Sequence, residues 1–199
     1  MAYRTILKFP NQFLRTQSEP VTVFGDELQS LVADLHDTLN VESGVGLSAP
    51  QIGVAQQVIY VRGGGFDDAM VNPKILESDG LAMLSEGCLS FPGVFESVKR
   101  FTTVKCEYQD VTGEKHEAML SDLAAHIVQH EIEHLDGTLL IDKLSTIKRD
   151  RIRRKAKKRA RELKGLLNPQ DSSRRKKKNS HLSKKELKIR KKQRFRPKR

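Results

Sequence analysis

The chain is 199 residues long and carries 36 Lys and Arg against 25 Asp and Glu, a formal charge of +11; that length fits one domain with an appendage. The mean charge hides a polarity, because residues 148–199 hold 26 of the basic and 4 of the acidic residues, which leaves residues 1–147 at −11 and the tail at +22. No apolar run approaches the roughly 20 residues of a bilayer span, and the N-terminus has neither a signal-peptide core nor a transit-peptide composition. Two cysteines, Cys88 and Cys106, make no disulfide framework. A cytoplasmic protein is the expectation.

Residues 26–40 place Leu28, Leu31, Val32, Leu35 and Leu39 on one helical stripe. A glycine-rich loop, GVGLSAPQIG, follows from Gly44, and Gln57–Arg62 reads as a buried strand ending at Gly63-Gly64-Gly65. Short strand-like pieces come next: Ala69–Asn72 before Pro73, Lys74–Ser78, and Leu81–Ser85. Residues 102–109 alternate, with Val104, Cys106 and Tyr108 on one face. Asp110–Gly113 is then a turn, with Glu114–Leu120 as hairpin partner. Ser121 reads as the N-cap of an apolar helix that runs to about Asp136 and stops at Gly137. The expected class is α+β, with short antiparallel strands around that helix.

A second long helix is expected from about Ser145 to Leu166. Residues 168–173 read as a linker, Arg174–Lys178 opens a low-complexity basic segment, and Ser183 to Glu186 has the form of a capping box. The expected division is thus a folded domain over 1–147, a basic helix over 148–167 and a basic, disordered tail over 168–199.

His130-Glu131-Ile132-Glu133-His134 is the strongest local signal. On a helix, residues four apart share a face, so His130 and His134 can grip one metal ion while Glu131 handles the proton of a bound water. A helix with two solvated histidines is the alternative, but this segment is apolar and its polar residues would otherwise be costly to bury. His126 lies on the same stripe, yet the rise from 126 to 134 is about 12 Å and ligand atoms sit about 2 Å from a metal. His126 therefore lines the pocket near its rim or is a satisfied polar residue.

A third ligand must come from elsewhere. The metzincin continuation HxxGxxH has Leu140 where its histidine belongs, and the downstream glutamates a thermolysin-like enzyme needs, Glu162 and Glu186, lie in the basic tail. Upstream, Glu86-Gly87-Cys88-Leu89-Ser90 offers a thiolate, although a lone cysteine also reads as a small buried hydrophobe. Gly44–Ala49 formally fits GxGxxG/A but lacks the strand–turn–helix context of a dinucleotide site.

Taken together, GVGLSAPQ (44–51), EGCLS (86–90) and QHEIEHL (129–135) resemble the three motifs of the peptide deformylases, in order and in spacing, over residues 1–165. Two positions depart from that pattern: Ser48 stands where the family usually has alanine, and Glu133 where it usually has aspartate. The resemblance implies that Cys88, His130 and His134 hold one divalent ion, typically Fe(2+), with Zn(2+) or another divalent ion able to replace it. It implies Glu131 as the base that takes a water proton and passes it to the leaving amine, and Gln51 and the Leu89 N–H as oxyanion donors. The substrate would be the formyl-Met end of a nascent peptide, lying against Val45, Gly46 and Gly87 as an added strand, its side chain among Leu84, Leu123 and Ile127. Glu86 would be held by Arg100.

The basic helix resembles a family helix that docks on the ribosome. A tail of +22 suits RNA phosphate, and its single aromatic, Phe195, argues against base stacking. A rival from another class is an RNA-associated protein whose metal domain is not catalytic. A structural metal site has no use for Gln51 or Glu131, and both are present.

Overall fold

A computed structural model describes residues 3–167 of the chain. The linker, the basic segment and the Ser183 capping box expected over 168–199 lie outside the described residues. Residues 1–156 form one unit; residues 157–199 form a second, of which the described part is helical.

Helix α1 (Asp26–Glu42) leads into strand β1 (Gly46–Ser48), a 3-10 turn at Ala49–Ile52, and strands β2 (Val58–Gly63) and β3 (Phe66–Asp79). Strands β4 (Ala82–Gly87) and β5 (Phe95–Arg100) form a separate two-stranded sheet, and β6 (Thr103–Gln109) and β7 (Lys115–Ser121) return to the first. Helix α2 (Asp122–Leu135), a 3-10 turn at Leu140–Lys143 and helix α3 (Thr146–Leu167) complete the order. The larger sheet is antiparallel, in the order β1-β2-β3-β6-β7, so β1 is an edge strand.

The continuous apolar run in β2 is explained by helices on both faces. Val58 and Tyr60 pack with Leu28, Leu31, Leu35 and Leu39 of α1. Ile59 and Val61 pack with Ala124, Ala125, Ile127 and Val128 of α2, together with Val104, Cys106 and Leu120. Cys106 is fully buried, and burial pushes its thiol up to about 11, which makes it packing and not chemistry. A third cluster gathers Leu14, Phe91, Val98, Leu139, Ile141 and Ile152, and so seats the start of α3 on β5. Glu96 reinforces that seat with Lys148 at 2.8 Å and Arg151 at 2.9 Å.

Several expectations change. The pieces read on either side of Pro73 are one long strand, β3, whose register shifts between Val71 and Lys74 and again between Ile75 and Glu77. A bulge accommodates a proline that lacks a ladder donor. Asn72, with φ 51°, secures it through side-chain bonds to Val21 N and O and to Gln109. The loop read at Gly44–Gly53 contains β1 and a 3-10 turn, and β5 was not expected at all. Ser121 does stand at the N-cap of α2, but its hydroxyl makes no capping bond. Gly137, with φ 70°, takes the chain out of α2 where a Cβ would meet Arg15 O at 2.5 Å. No helix among the described residues is long and apolar enough to cross a membrane.

Candidate metal centre

Three segments meet at one cavity of about 410 Å³. The end of β4 delivers Glu86 and Gly87, and Cys88 follows in the turn closed by Phe91 N–H on Cys88 O at 2.8 Å. The buried face of α2 supplies His126, His130 and Glu131, with His134 buried one turn beyond His130. The 3-10 turn after β1 supplies Gln51, whose side chain is almost wholly enclosed.

Cys88 Sγ lies 3.3 Å from His134 Nε2, and donor atoms of Cys88, His130 and His134 all fall within 4.8 Å of one another. Burial drives His130 toward its neutral form, but the Cys88 sulfur and the Glu86 carboxylate push harder the other way, so its affinity for positive charge is raised. His134 is equally buried and faces His130, and both effects lower it. The trio thus draws positive charge without room for two protonated imidazoles, and a single cation among one thiolate and two imidazoles answers both demands. The donor set fits a divalent metal. A second group among the described residues, Asp110, Glu114 and His116, sits at the β6–β7 turn. There Asp110 is already used by Thr112, Glu114 N–H and His116.

Glu86 organises the histidines. Its Oε1 meets His130 Nδ1 and Arg100 Nη2, the latter at 2.8 Å. Its Oε2 meets Arg100 Nε at 2.9 Å and His126 Nε2 at 2.8 Å. Burial alone would raise this carboxyl, yet those three partners hold it far below the usual range. Holding His130 by Nδ1 leaves Nε2 to face the centre, which fixes both tautomer and ring orientation. The expected Glu86–Arg100 pair is present. Arg100 also bonds Glu133, and Glu133 in turn meets Lys143 at 2.7 Å.

Glu131 is buried, and its Oε2 has no hydrogen-bond partner. Burial lifts its carboxyl to about 7, against the opposing pull of His130. Gln51 Nε2 faces Ser90 Oγ at 3.2 Å and Cys88 Sγ at 3.7 Å. Val45, Gly46, Gly87, Leu89, Leu123 and Ile127 all line the cavity.

Leu84 does not line it; the side chain is 41% exposed on β4, and the neighbouring Ser85, Glu86 and Gly87 take the wall. His126 lines the cavity as expected, though buried against Glu86 and not at the rim. Three participants were not assigned a place from sequence. Ser90 accepts from Gln51, and its place in EGCLS was the available signal. Lys8 lines the cavity and donates to Leu89 O at 2.8 Å. Ser48 donates to Gln51, and its departure from alanine was the one hint.

A family profile described as polypeptide deformylase matches residues 3–150. The peptide deformylase of Nitrosococcus oceani is 38% identical over 164 residues, covering 81% of this chain and 98% of that protein. That of Helicobacter pylori strain G27 is 39% identical over 165 residues, covering 79% and 95%. Among solved structures, the Legionella pneumophila peptide deformylase is similar with a TM-score of 0.76 at 39% identity, covering 80% of this chain and 96% of that one. The Ehrlichia chaffeensis enzyme in complex with actinonin gives 0.76 at 31% identity, covering 80% and 98%. Similarity over nearly the whole length of these relatives, with all three motif segments meeting at one cavity, is more than a shared fragment would give, and the chain belongs to the polypeptide deformylase family.

Proposed function

We propose that this chain hydrolyses the N-formyl group from the formylmethionine of nascent polypeptides, releasing formate, with Cys88, His130 and His134 as the protein ligands of one divalent ion. Such an ion, when bound, supplies Lewis acidity that lowers the pKa of a water and polarises the formyl carbonyl. Two imidazoles and a thiolate suit Fe(2+) and Zn(2+) alike; Fe(2+) is our assignment for the cell, on the family resemblance.

Glu131 takes the proton of the attacking water on its unpartnered Oε2 and delivers it to the leaving amine. Gln51 Nε2 and the Leu89 N–H donate to the oxyanion, each contributing about 3 kcal/mol. The substrate backbone adds to the open edge of β1 at Val45–Gly46 and reaches Gly87 across the cavity. Leu123 and Ile127 receive the methionine side chain. The observation that carries this reading is an open carboxylate beside a Cys/His/His cluster at the wall of one cavity. A non-catalytic metal domain would not need it.

Ribosomal RNA is the partner we assign to the basic C-terminal region, in the cytoplasm where formylated chains emerge. Supporting this, α3 alone carries eleven Lys and Arg against two acidic residues, a charge density suited to phosphate.

The direct test is formate release from a formyl-Met peptide by wild type and Glu131→Gln, with metal analysis of both. The amide keeps the shape but cannot accept the proton, so turnover should fall by about 10²–10⁴-fold with metal retained. A variant that keeps more than about a tenth of the rate would remove Glu131 from the role of base.

A further inference from the structure

Ser48 closes β1 and opens the turn that carries Gln51, and it is fully buried. Both its backbone N–H and its hydroxyl donate to Gln51 Oε1, each at 2.9 Å. A primary amide has an accepting and a donating end of nearly the same shape, so packing alone does not choose between the two orientations. Here the choice matters, because only the N–H end can serve a developing oxyanion. With Oε1 drawn back onto two donors of Ser48, it is Nε2 that faces Ser90 Oγ at 3.2 Å and Cys88 Sγ at 3.7 Å. Turning the amide over would leave the buried Ser48 N–H against an NH₂ group, an unmet donor that costs about 1–3 kcal/mol.

The geometry points to Ser48 as a positioning residue whose hydroxyl, with its own backbone N–H, clamps the Gln51 amide in the orientation that presents Nε2 to the reacting formyl oxygen. This rests on Gln51 being an oxyanion donor. The backbone N–H alone fixes which end of the amide turns inward. The hydroxyl adds a second donor to the same oxygen, which tightens the hold on Oε1. An alanine here would keep the first and lose the second. The carbonyl of Gln51 is separately held by Leu7 N–H at 2.7 Å, so the backbone stays anchored when the hydroxyl is removed.

The experiment is a double-mutant cycle of Ser48→Ala and Gln51→Ala in the full chain, each variant checked for metal content and melting temperature, with kcat and KM measured separately on a formyl-Met peptide. Ser48→Ala should fold and load metal as wild type does, and lose about three- to tenfold in kcat, the range expected for one neutral hydrogen bond, with KM unchanged. On the Gln51→Ala background the same change should cost nothing further. Equal losses on both backgrounds, a fall in KM-governed binding with kcat intact, or no loss at all would overturn the clamp. If Gln51→Ala itself keeps wild-type kcat, the assignment of Gln51 as oxyanion donor fails and the clamp fails with it. That result is separable from the others because it appears in the single variant.

Discussion

Gly46→Ala tests whether the position of Glu131 is set by the strand beside it. Gly46 is half-buried on β1, and a Cβ built there would lie 2.5 Å from Glu131 Oε1 and 2.6 Å from Ile127 Cγ2. Ordinary contact begins near 3.4 Å, so the carboxylate must retreat by about 0.9 Å or the strand must lift from α2. The strand has little freedom, since Gly46, Leu47 and Ser48 are paired with Val61, Tyr60 and Ile59 of β2. A misplacement of about 1 Å at a catalytic group costs on the order of 10²-fold in rate, or roughly 2.7 kcal/mol of barrier. Overpacking adds about 1–3 kcal/mol of lost stability, which for a chain of this size lowers the melting temperature by about 2–12 °C. The assay is formate release from a formyl-Met peptide, well below both melting temperatures, with thermal unfolding alongside. Gly25→Ala is the matched control, because a Cβ there meets nothing within 4 Å and the backbone is extended. A Gly46→Ala enzyme within about twofold of wild-type kcat would refute the claim that Glu131 must stand where it does.

Cys88→Ser should lose most of its metal and its activity together, because an alcohol is a far poorer ligand than a thiolate; stoichiometric metal with normal turnover would show that the third ligand lies elsewhere. Asp142 accepts from Arg15 and Leu139 N–H, and although burial opposes it these partners hold its carboxyl below the usual range. Its contribution to stability is therefore complete above the unfolded value of about 4 and is lost as pH falls through the lower folded value. Unfolding of Asp142→Asn should show a deficit at neutral pH that closes below about pH 4, and a deficit that widens on acidification would contradict the assignment. Deletion from Arg174 onward should leave hydrolysis of short formyl-Met peptides intact while weakening ribosome binding, and full-length binding should fall steeply between low and moderate salt; unchanged affinity after truncation would remove the tail as the anchor.

What could be read from the sequence follows how local the determining interactions are. The His130–His134 spacing is a property of one helix, and the run Val58–Val61 is apolar because α1 and α2 cover both faces of its strand. Strand β5 escaped for the opposite reason. Its inward residues are Glu96, Val98 and Arg100, so two of three buried positions are charged and the apolar alternation is lost. The partners that make those charges acceptable come from β4, α2 and α3, 14 to 55 residues away in sequence. Pro73 likewise reads as a break until the bulge around Asn72 absorbs it. Cys88 as a ligand came from the resemblance and not from spacing, since a thiolate 42 residues before the first histidine has no local signature. Ser48 was visible as a departure from the family, but the bond to Gln51 depends on the turn that brings residue 51 back over residue 48.

The charges that hid β5 are the ones that hold the metal centre in place. From His130 the contacts run to Glu86, then Arg100, Glu133 and Lys143, alternating in sign until they reach a half-exposed ammonium. Each internal member is stabilised by a neighbour of opposite charge on either side, which offsets the cost of taking it out of water. Aspartate at position 133 would be one methylene shorter on its way from α2 to Arg100. With glutamate, the same Oε1 meets both Arg100 and Lys143, so the line stays closed to the surface. Breaking it in the middle differs from trimming its end. Loss of Arg100 would leave the buried Glu86 with only its two histidines and Glu133 with only Lys143, whereas loss of Lys143 removes a group already 42% exposed. The histidine geometry is thus secured by a column of paired charges reaching from the cavity to solvent, and its weakest point electrostatically is Arg100, a residue that bonds no metal donor and reaches the cavity wall only through Glu86.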